Sequence, residues 1–270
     1  MADLAYWPVE VRRITAPTPG TRRVTFGAPG FEQFPKAGPD QYFKLFMPLA
    51  GQTEPRLPDP VEGGDVRSWY VSYLSMPDEL RPPMRTFTVR HHRADHQEID
   101  VDFVVHDDGA AQRWLRTVEP GDKVTLLGAN SLYHPPAGTE WQLLIGDETA
   151  VPAISAIVEQ LPPGTRAVVI ADVPDAGEEL KWDTEGDVDT TWLHRGSLLD
   201  AVRAATLPQG QCYAWVAGEA SMVRDVRRHL VGDRAFPKNT ITFTGYWRVG
   251  RTEEQVSRDA VETGTRDEDD

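Results

Sequence analysis

Arg85-Thr86-Phe87-Thr88-Val89-Arg90 places a cation at each end of an alternating segment, with a ring and hydroxyls between them. The ring of Phe87 can lie along a flat heterocycle, Thr88 can hydrogen-bond it, and Arg85 can pair with a phosphate. Downstream, Ile99–Val105 reads as a strand. The loop His106-Asp107-Asp108-Gly109-Ala110-Ala111 then opens a short helix over Ala111–Arg116, whose free backbone N–H groups can receive a second phosphate. A flat ring beside a diphosphate describes a flavin dinucleotide. The same spacing also occurs on ordinary edge strands, so from the residues alone a structural reading stays open.

Arg85–Arg90 resembles the Arg-x-Tyr-Thr-x-Arg flavin motif of the siderophore-interacting proteins, ferric-siderophore reductases related to the ferredoxin–NADP reductase superfamily. Four further stretches are similar in order and distance. They are Asp102–His106 with Gly109, Ala110 and Trp114; Gly146–Ile154; Trp215–Glu219; and Gly245–Arg248. The similarity runs from about residue 8 to 250. Phe87 stands where that family has Tyr, which preserves ring stacking and removes a phenol hydrogen bond.

The resemblance implies an FAD site built from Arg85, Thr86, Phe87, Thr88 and Val89, with Asp102, Val104, His106, Gly109, Ala110, Ala111 and Trp114 around it. In the second half, Gly146-Asp147-Glu148-Thr149-Ala150 lies just past a strand, where Thr149 and the following helix start can hold a diphosphate. Gly218-Glu219 has the corresponding place after a later strand, in the region that meets the nicotinamide in related reductases. Asp147, Thr149, Ala150, Gly218, Glu219 and Trp247 are therefore the expected cofactor-binding set there, with NADH or NADPH as electron donor. The choice between the two stays open, since Asp172 and Glu178 favour NADH and Arg195 favours the extra phosphate of NADPH. An anionic ferric siderophore calls for cations, and Lys44, Arg248 and Arg251 are the candidates. Two rivals remain beside this reading. One has a reduced ferredoxin as donor with a relic nicotinamide site, and the other is a siderophore-binding protein without flavin.

A net charge of −14 argues against nucleic acid or an anionic membrane as a generic partner. No apolar run approaches the roughly 20 residues that span a bilayer, and Met1-Ala2-Asp3-Leu4 does not open like a secretory signal, so a cytoplasmic protein without membrane insertion is expected. The single Cys212 cannot form an internal disulfide and sits among apolar neighbours, as a buried thiol would. His91 and His92 are adjacent in a turn with no second pair at ligand spacing, so no protein-bound metal is expected.

The elements that must position these residues fall into two sets. Val9–Thr15, Arg22–Phe26, Tyr42–Phe46, Met84–Arg90, Ile99–Val105 and Lys123–Leu127 are short strands separated by turns at Pro17–Gly20, His91–Gln97 and Val118–Asp122. Gly51–Gly64 reads as a surface loop, and Trp69, Tyr70 and Tyr73 within Arg67–Leu80 suit a short covering helix. After Tyr133-His134-Pro135-Pro136 strands alternate with helices: strands at Trp141–Ile145, Arg166–Ala171, Trp192-Leu193, Tyr213–Ala217 and Thr240–Thr244, helices at Ala153–Gln160, Ser197–Ala205 and Ser221–Leu230. The expected class is thus β plus α/β: an antiparallel FAD-binding β-barrel over residues 1–135, a parallel α/β nicotinamide-binding domain over 136–250, and an acidic tail over 251–270. Eight acids against two arginines in 252–270 suggest a solvated, disordered tail.

Overall fold

The computed structural model describes residues 5–59, 66–106, 109–251, Gln255 and Arg258. The Asp107-Asp108 pair, the end of the Gly51–Gly64 loop and the acidic tail beyond Arg251, apart from Gln255 and Arg258, lie outside the described residues. The chain forms two compact units. One holds the described residues up to Ala37, those from Gln41 to Asn130, and Arg251; the other holds Gly38–Asp40 and Ser131–Gly250.

The first unit is an antiparallel sheet of β1 (Tyr6–Thr18), β2 (Thr21–Gly27), β3 (Tyr42–Phe46), β4 (Met84–Thr88), β5 (His91–Arg93), β6 (Glu98–Val104) and β7 (Lys123–Asn130). Their order is β4-β3-β7-β1-β2-β6-β5. The two end strands are halves of one run. Met84–Thr88 pairs with β3, and His91–Arg93, only two residues later, pairs with β6. Between them Val89 N donates to Gln41 O at 2.7 Å and Arg90 N to Asp100 O at 2.8 Å. A single stretch of chain therefore joins both edges and closes the sheet into a barrel. This corrects the expected turn at His91–Gln97. His91–Arg93 is strand, and only Ala94–His96 makes a tight helical turn.

Period-two alternation builds the interior. Val9, Val11, Val24, Phe26, Phe43, Leu45, Ile99, Val101, Phe103, Val124 and Leu126 form one buried cluster. Across the same strands Phe46, Met84 and Leu127 meet Trp69 and Tyr73 of the helix α1 (Val66–Leu74) in a second cluster. The aromatics of 67–80 thus cover the sheet as expected.

The second unit is a parallel sheet of β8 (Trp141–Gly146), β9 (Arg166–Val173), β10 (Asp187–His194), β11 (Cys212–Glu219) and β12 (Ile241–Trp247), in the order β10-β9-β8-β11-β12. Helices α3 (Val151–Val158), α4 (Leu198–Ala204) and α5 (Ala220–Gly232) make the crossovers. Central β8 is buried at every position and β11 nearly so, as strands covered on both faces must be. Edge strand β10 alternates exposed with half-buried positions and is longer than the expected Trp192-Leu193. The chain returns across the sheet between β8 and β11, so their carboxyl ends border the crevice where such sheets bind ligands. Cys212 is buried, and burial pushes its thiol up to about 12. Among the described residues no helix is long and apolar enough to cross a membrane.

Candidate functional site

In the barrel unit, strand alternation sorts the expected flavin residues by face. Arg85 lies across from Leu45 and Phe87 across from Phe43, so both share the interior side of the β3–β4 pair. Phe87 is half-buried there, its ring 4.3 Å from that of Phe103. Thr86 lies opposite Lys44 on the other face, where the Lys44 ammonium donates to Thr86 Oγ1 at 2.6 Å. Thr88 is buried on that same side, across from Tyr42. The strand thus brings Arg85 and Phe87 together and pairs Thr86 with Lys44 instead.

The second expected phosphate site is the start of α2 (Ala110–Leu115). Gly109 precedes it as the N-cap at φ 127°, ψ 161°, and supplies no side-chain hydrogen bond. Among the described residues, its two chain neighbours aside, nothing lies within 4 Å of where a Cβ of Gly109 would stand. Backbone N–H groups at a helix start suit a phosphate, and the glycine at 109 leaves room for one to approach, so these residues fit the diphosphate of FAD. Gln112 ties the helix to the sheet by donating to Val104 O at 2.7 Å, and Trp114 packs beside Phe26 and Phe103. His106 is exposed, and Ala110 and Ala111 lie half-buried on the first turn.

Asp102 has a different setting. Its two oxygens accept from Arg23 Nε and Nη2 at 2.6 and 2.8 Å, with Arg90 Nε 3.8 Å away. It belongs to a ladder on one face of β6. Glu98, Asp100 and Asp102 alternate with core residues, Arg13, Arg23 and Thr25 flank them on one side, and Arg93, His91 and Arg90 on the other. Burial works against ionisation of Asp100, yet bonds from Arg93, His91 and Thr25 outweigh it and hold its carboxyl far below the usual range. The ladder is absent from the sequence reading, although the period-two acids of Glu98–Asp102 signal it.

In the α/β unit the expected residues converge on one carboxylate. Asp147, at the end of β8, is buried. Its Oδ1 accepts from Thr149 N at 2.9 Å and Thr149 Oγ1 at 2.5 Å. Its Oδ2 accepts from Glu219 N at 2.7 Å and Trp247 Nε1 at 2.9 Å. Gly218 sits at φ 138°, and a Cβ there would lie 2.6 Å from Asp147 Oδ2. Glycine is what lets this turn approach.

The two helix starts beside the crevice differ. Glu219 caps α5 itself, accepting from Met222 N at 3.0 Å and from Ser221 Oγ. Burial opposes its charge, but donors from Ser221, Met222 and Val249 keep its carboxyl below the ordinary value. The start of α3 has Ala150 at its N-cap and no side-chain cap. Of the two, α3 is the one without a side-chain cap, although Pro152 lacks an N–H and Ala153 N already donates to Ala150 O at 3.0 Å.

Asp172 and Arg195 turn out to be neighbours. Asp172 Oδ1 accepts from Gly196 N at 2.8 Å, and Arg195, at φ 55°, donates its N–H to Val173 O at 3.1 Å. Glu178 lies in a tight helical turn after β9. Arg248 follows β12 half-buried, Arg251 is exposed, and Tyr246 and Trp247 are 36% and 43% exposed, so the end of β12 presents aromatic surface. Asp40, which no motif signals, is 1% exposed and holds Ser131 Oγ, Leu132 N and Trp215 Nε1. Among the described residues no three His, Cys, Asp or Glu side chains gather as metal ligands do.

Residues 10–132 match the family model of the siderophore-interacting FAD-binding domain, and residues 139–250 that of the siderophore-interacting protein. The chain is 30% identical to ferric vibriobactin reductase ViuB of Vibrio cholerae over 241 residues, covering 86% of this chain and 85% of that protein. It is 26% identical to the NADPH-dependent ferric-chelate reductase of Escherichia coli over 255 residues, covering 92% and 94%. The crystal structure of a siderophore utilization protein from T. fusca superposes with a TM-score of 0.77 at 28% identity, covering 93% of this chain and 97% of that one.

Proposed function

This chain belongs to the siderophore-interacting protein family and is an FAD-dependent oxidoreductase; we propose that it reduces the iron of ferric siderophores with electrons from NADH or NADPH. The observation that carries this reading is the barrel's Arg85–Phe87 face and the Gly109 helix start, lying within the stretch that matches the FAD-binding domain. Relatives named for ferric vibriobactin and ferric-chelate reduction support the substrate, and the second of them supports NADPH as donor.

Arg85 would pair with the FAD diphosphate, the α2 start would add backbone donors, and Phe87, backed by Phe103, would offer its ring. In the α/β unit the α3 start would take the coenzyme diphosphate beside the Asp147-pinned turn. Bound FAD supplies the conversion the reaction needs, taking a hydride from the nicotinamide and delivering single electrons to Fe³⁺. One coenzyme thus serves two ferric ions: NAD(P)H + 2 Fe³⁺ gives NAD(P)⁺ + H⁺ + 2 Fe²⁺. Hard oxygen ligands hold Fe²⁺ less firmly than Fe³⁺, so reduction loosens the iron. No side chain need move a proton in the electron transfer. The protein aligns the reactants and supplies charge, with Lys44, Arg248 and Arg251 as the cations proposed to draw in an anionic ferric complex. We place the reaction in the cytoplasm, where the coenzymes are maintained reduced.

The test uses the purified, FAD-loaded protein without oxygen. It is mixed separately with NADH, NADPH and a reduced ferredoxin while flavin absorbance is followed. The reduced protein then meets a ferric siderophore in the presence of a ferrous chelator. Bleaching by a coenzyme and ferrous release are expected. Bleaching by ferredoxin alone, or a ferric complex left unchanged, overturns the proposal.

A further inference from the structure

We propose that Asp147 is a positioning residue for hydride delivery from the coenzyme, acting chiefly through Trp247, and does not itself bind the coenzyme. The inference rests on reading the α/β unit as the nicotinamide-binding part.

The carboxylate has no capacity left for a ligand. An ionised carboxylate accepts about four hydrogen bonds, and Asp147 already receives those of Thr149 N, Thr149 Oγ1, Glu219 N and Trp247 Nε1. These donors arise from three chain segments that end side by side: the turn after β8, the turn after β11, and the end of β12. One buried group therefore sets the mutual position of three strand ends, the two that border the crevice and that of neighbouring β12. The two oxygens divide the work. Oδ1 shapes the local β8–α3 turn, while Oδ2 reaches residues 72 and 100 positions away in sequence.

Trp247 shows the effect most directly. Its ring is 43% exposed, and its indole N–H is fixed at 2.9 Å from a buried anion. An exposed indole is otherwise free to sample several rotamers. Held by its nitrogen, it keeps one orientation at the rim of the crevice. The Gly218-Glu219 turn is held by the same oxygen, and a side chain at 218 would collide with it. Each donor also offsets the negative charge of Asp147, which would otherwise repel the coenzyme phosphates.

Asp147→Asn keeps the shape and replaces one acceptor oxygen with an NH₂ group, which must face two donors. The experiment compares FAD-loaded parent, Asp147→Asn, Trp247→Phe and the double variant in single-turnover flavin reduction over a range of coenzyme concentrations. Near-ultraviolet circular dichroism of the same oxidised samples is recorded, and each protein is also reduced with dithionite and reoxidised by a ferric siderophore. For Asp147→Asn, the limiting rate of flavin reduction should fall about ten- to a hundredfold, while the coenzyme Kd rises less than about threefold. Reoxidation after dithionite should match the parent. In the Trp247→Phe background, the added Asp147→Asn change should cost much less and leave the dichroism unaltered. Additive losses, or a loss confined to Kd, overturn the inference. Should Asp147→Asn not fold, Trp247→Phe decides alone, and a limiting rate equal to the parent's overturns it. A parent protein that no coenzyme reduces overturns the reading of the α/β unit together with this inference. A parent that is reduced beside an Asp147→Asn variant equal to it overturns this inference only.

Discussion

Asp100→Asn should loosen the barrel at the point where it closes, and with it the strand that carries Arg85 and Phe87. In the parent, Asp100 accepts from Arg93 at 2.5 and 2.7 Å, from Thr25 at 2.7 Å, and meets His91 Nδ1 at 3.2 Å. Arg93 and His91 are β5, so these bonds reinforce the β5–β6 pairing that closes the sheet. Asparagine leaves one acceptor oxygen and turns an NH₂ toward a guanidinium. Breaking a fully buried ion pair costs about 3–5 kcal/mol. The Arg93 side chain keeps 31% of its exposure, so solvent screening reduces the expected loss to about 2–3 kcal/mol. In a thermal melt that is a shift on the order of 10 °C, and FAD retention through gel filtration should fall with it. The more exposed Arg13→Ala is the control, with a loss below about 1 kcal/mol. The pH dependence has a definite sign. Because the folded-state carboxyl of Asp100 is held below its ordinary value, its contribution is complete above the usual carboxylate range. It is lost progressively as pH falls below about 4, so the gap between parent and variant should close on acidification. A variant that melts with the parent at neutral pH and keeps its FAD would refute the argument.

Arg85→Ala should raise the FAD Kd about ten- to a hundredfold through loss of a charge-assisted phosphate bond of about 1.5–3 kcal/mol, as measured by flavin fluorescence on titrating the apoprotein. Lys44→Ala and Arg248→Ala should each raise KM for an anionic ferric siderophore by roughly two- to fivefold at low salt. Flavin content and reduction by coenzyme should not change. The effect should fade near ~1 M salt, where the screening length shrinks to about 3 Å, and should be smaller for a neutral complex. Equal KM values in both variants at low salt would remove these cations from substrate binding.

The two-part architecture was legible because each half has its own period. Alternation of two marks Arg22–Phe26 and Ile99–Val105, and strand–helix alternation begins after Pro136. What escaped was set by pairing across the fold. His91–Arg93 is too short to show a period, and it is a strand because β6 offers it an edge. Strand β10 is read only at Trp192-Leu193, since Asp187, Asp189 and Thr191 face solvent at the sheet edge. Gly146–Ala150 reads as the turn that follows β8, but nothing local shows that Asp147 meets Glu219 and Trp247. Its partners lie beyond any window of sequence. The same holds for Asp102, whose partner Arg23 is 79 positions away.

Both carboxylates that the family motif draws toward cofactors, Asp102 and Asp147, are filled by donors of the protein itself. This bears on how a chain of net charge −14 can take anionic ligands. Ionic screening limits distant charge to about 8–10 Å at physiological salt, so the local groups decide; Asp102 is paired with Arg23, and the oxygens of Asp147 are occupied by uncharged donors. A test of sign follows for Asp102→Asn. If the net negative charge near the barrel site opposed FAD, removing a carboxylate would tighten FAD. The geometry argues the reverse. Arg23 would lose its bidentate partner and Arg90, 5% exposed, its nearby anion, so β6 and the Arg90 end of the flavin run would be disturbed. The expected outcome is FAD bound more weakly, by roughly three- to thirtyfold for about 1–2 kcal/mol of lost positioning, with a matching drop in melting temperature. Tighter FAD in Asp102→Asn would show that Asp102 acts as a free charge facing the ligand, against its placement between two arginines.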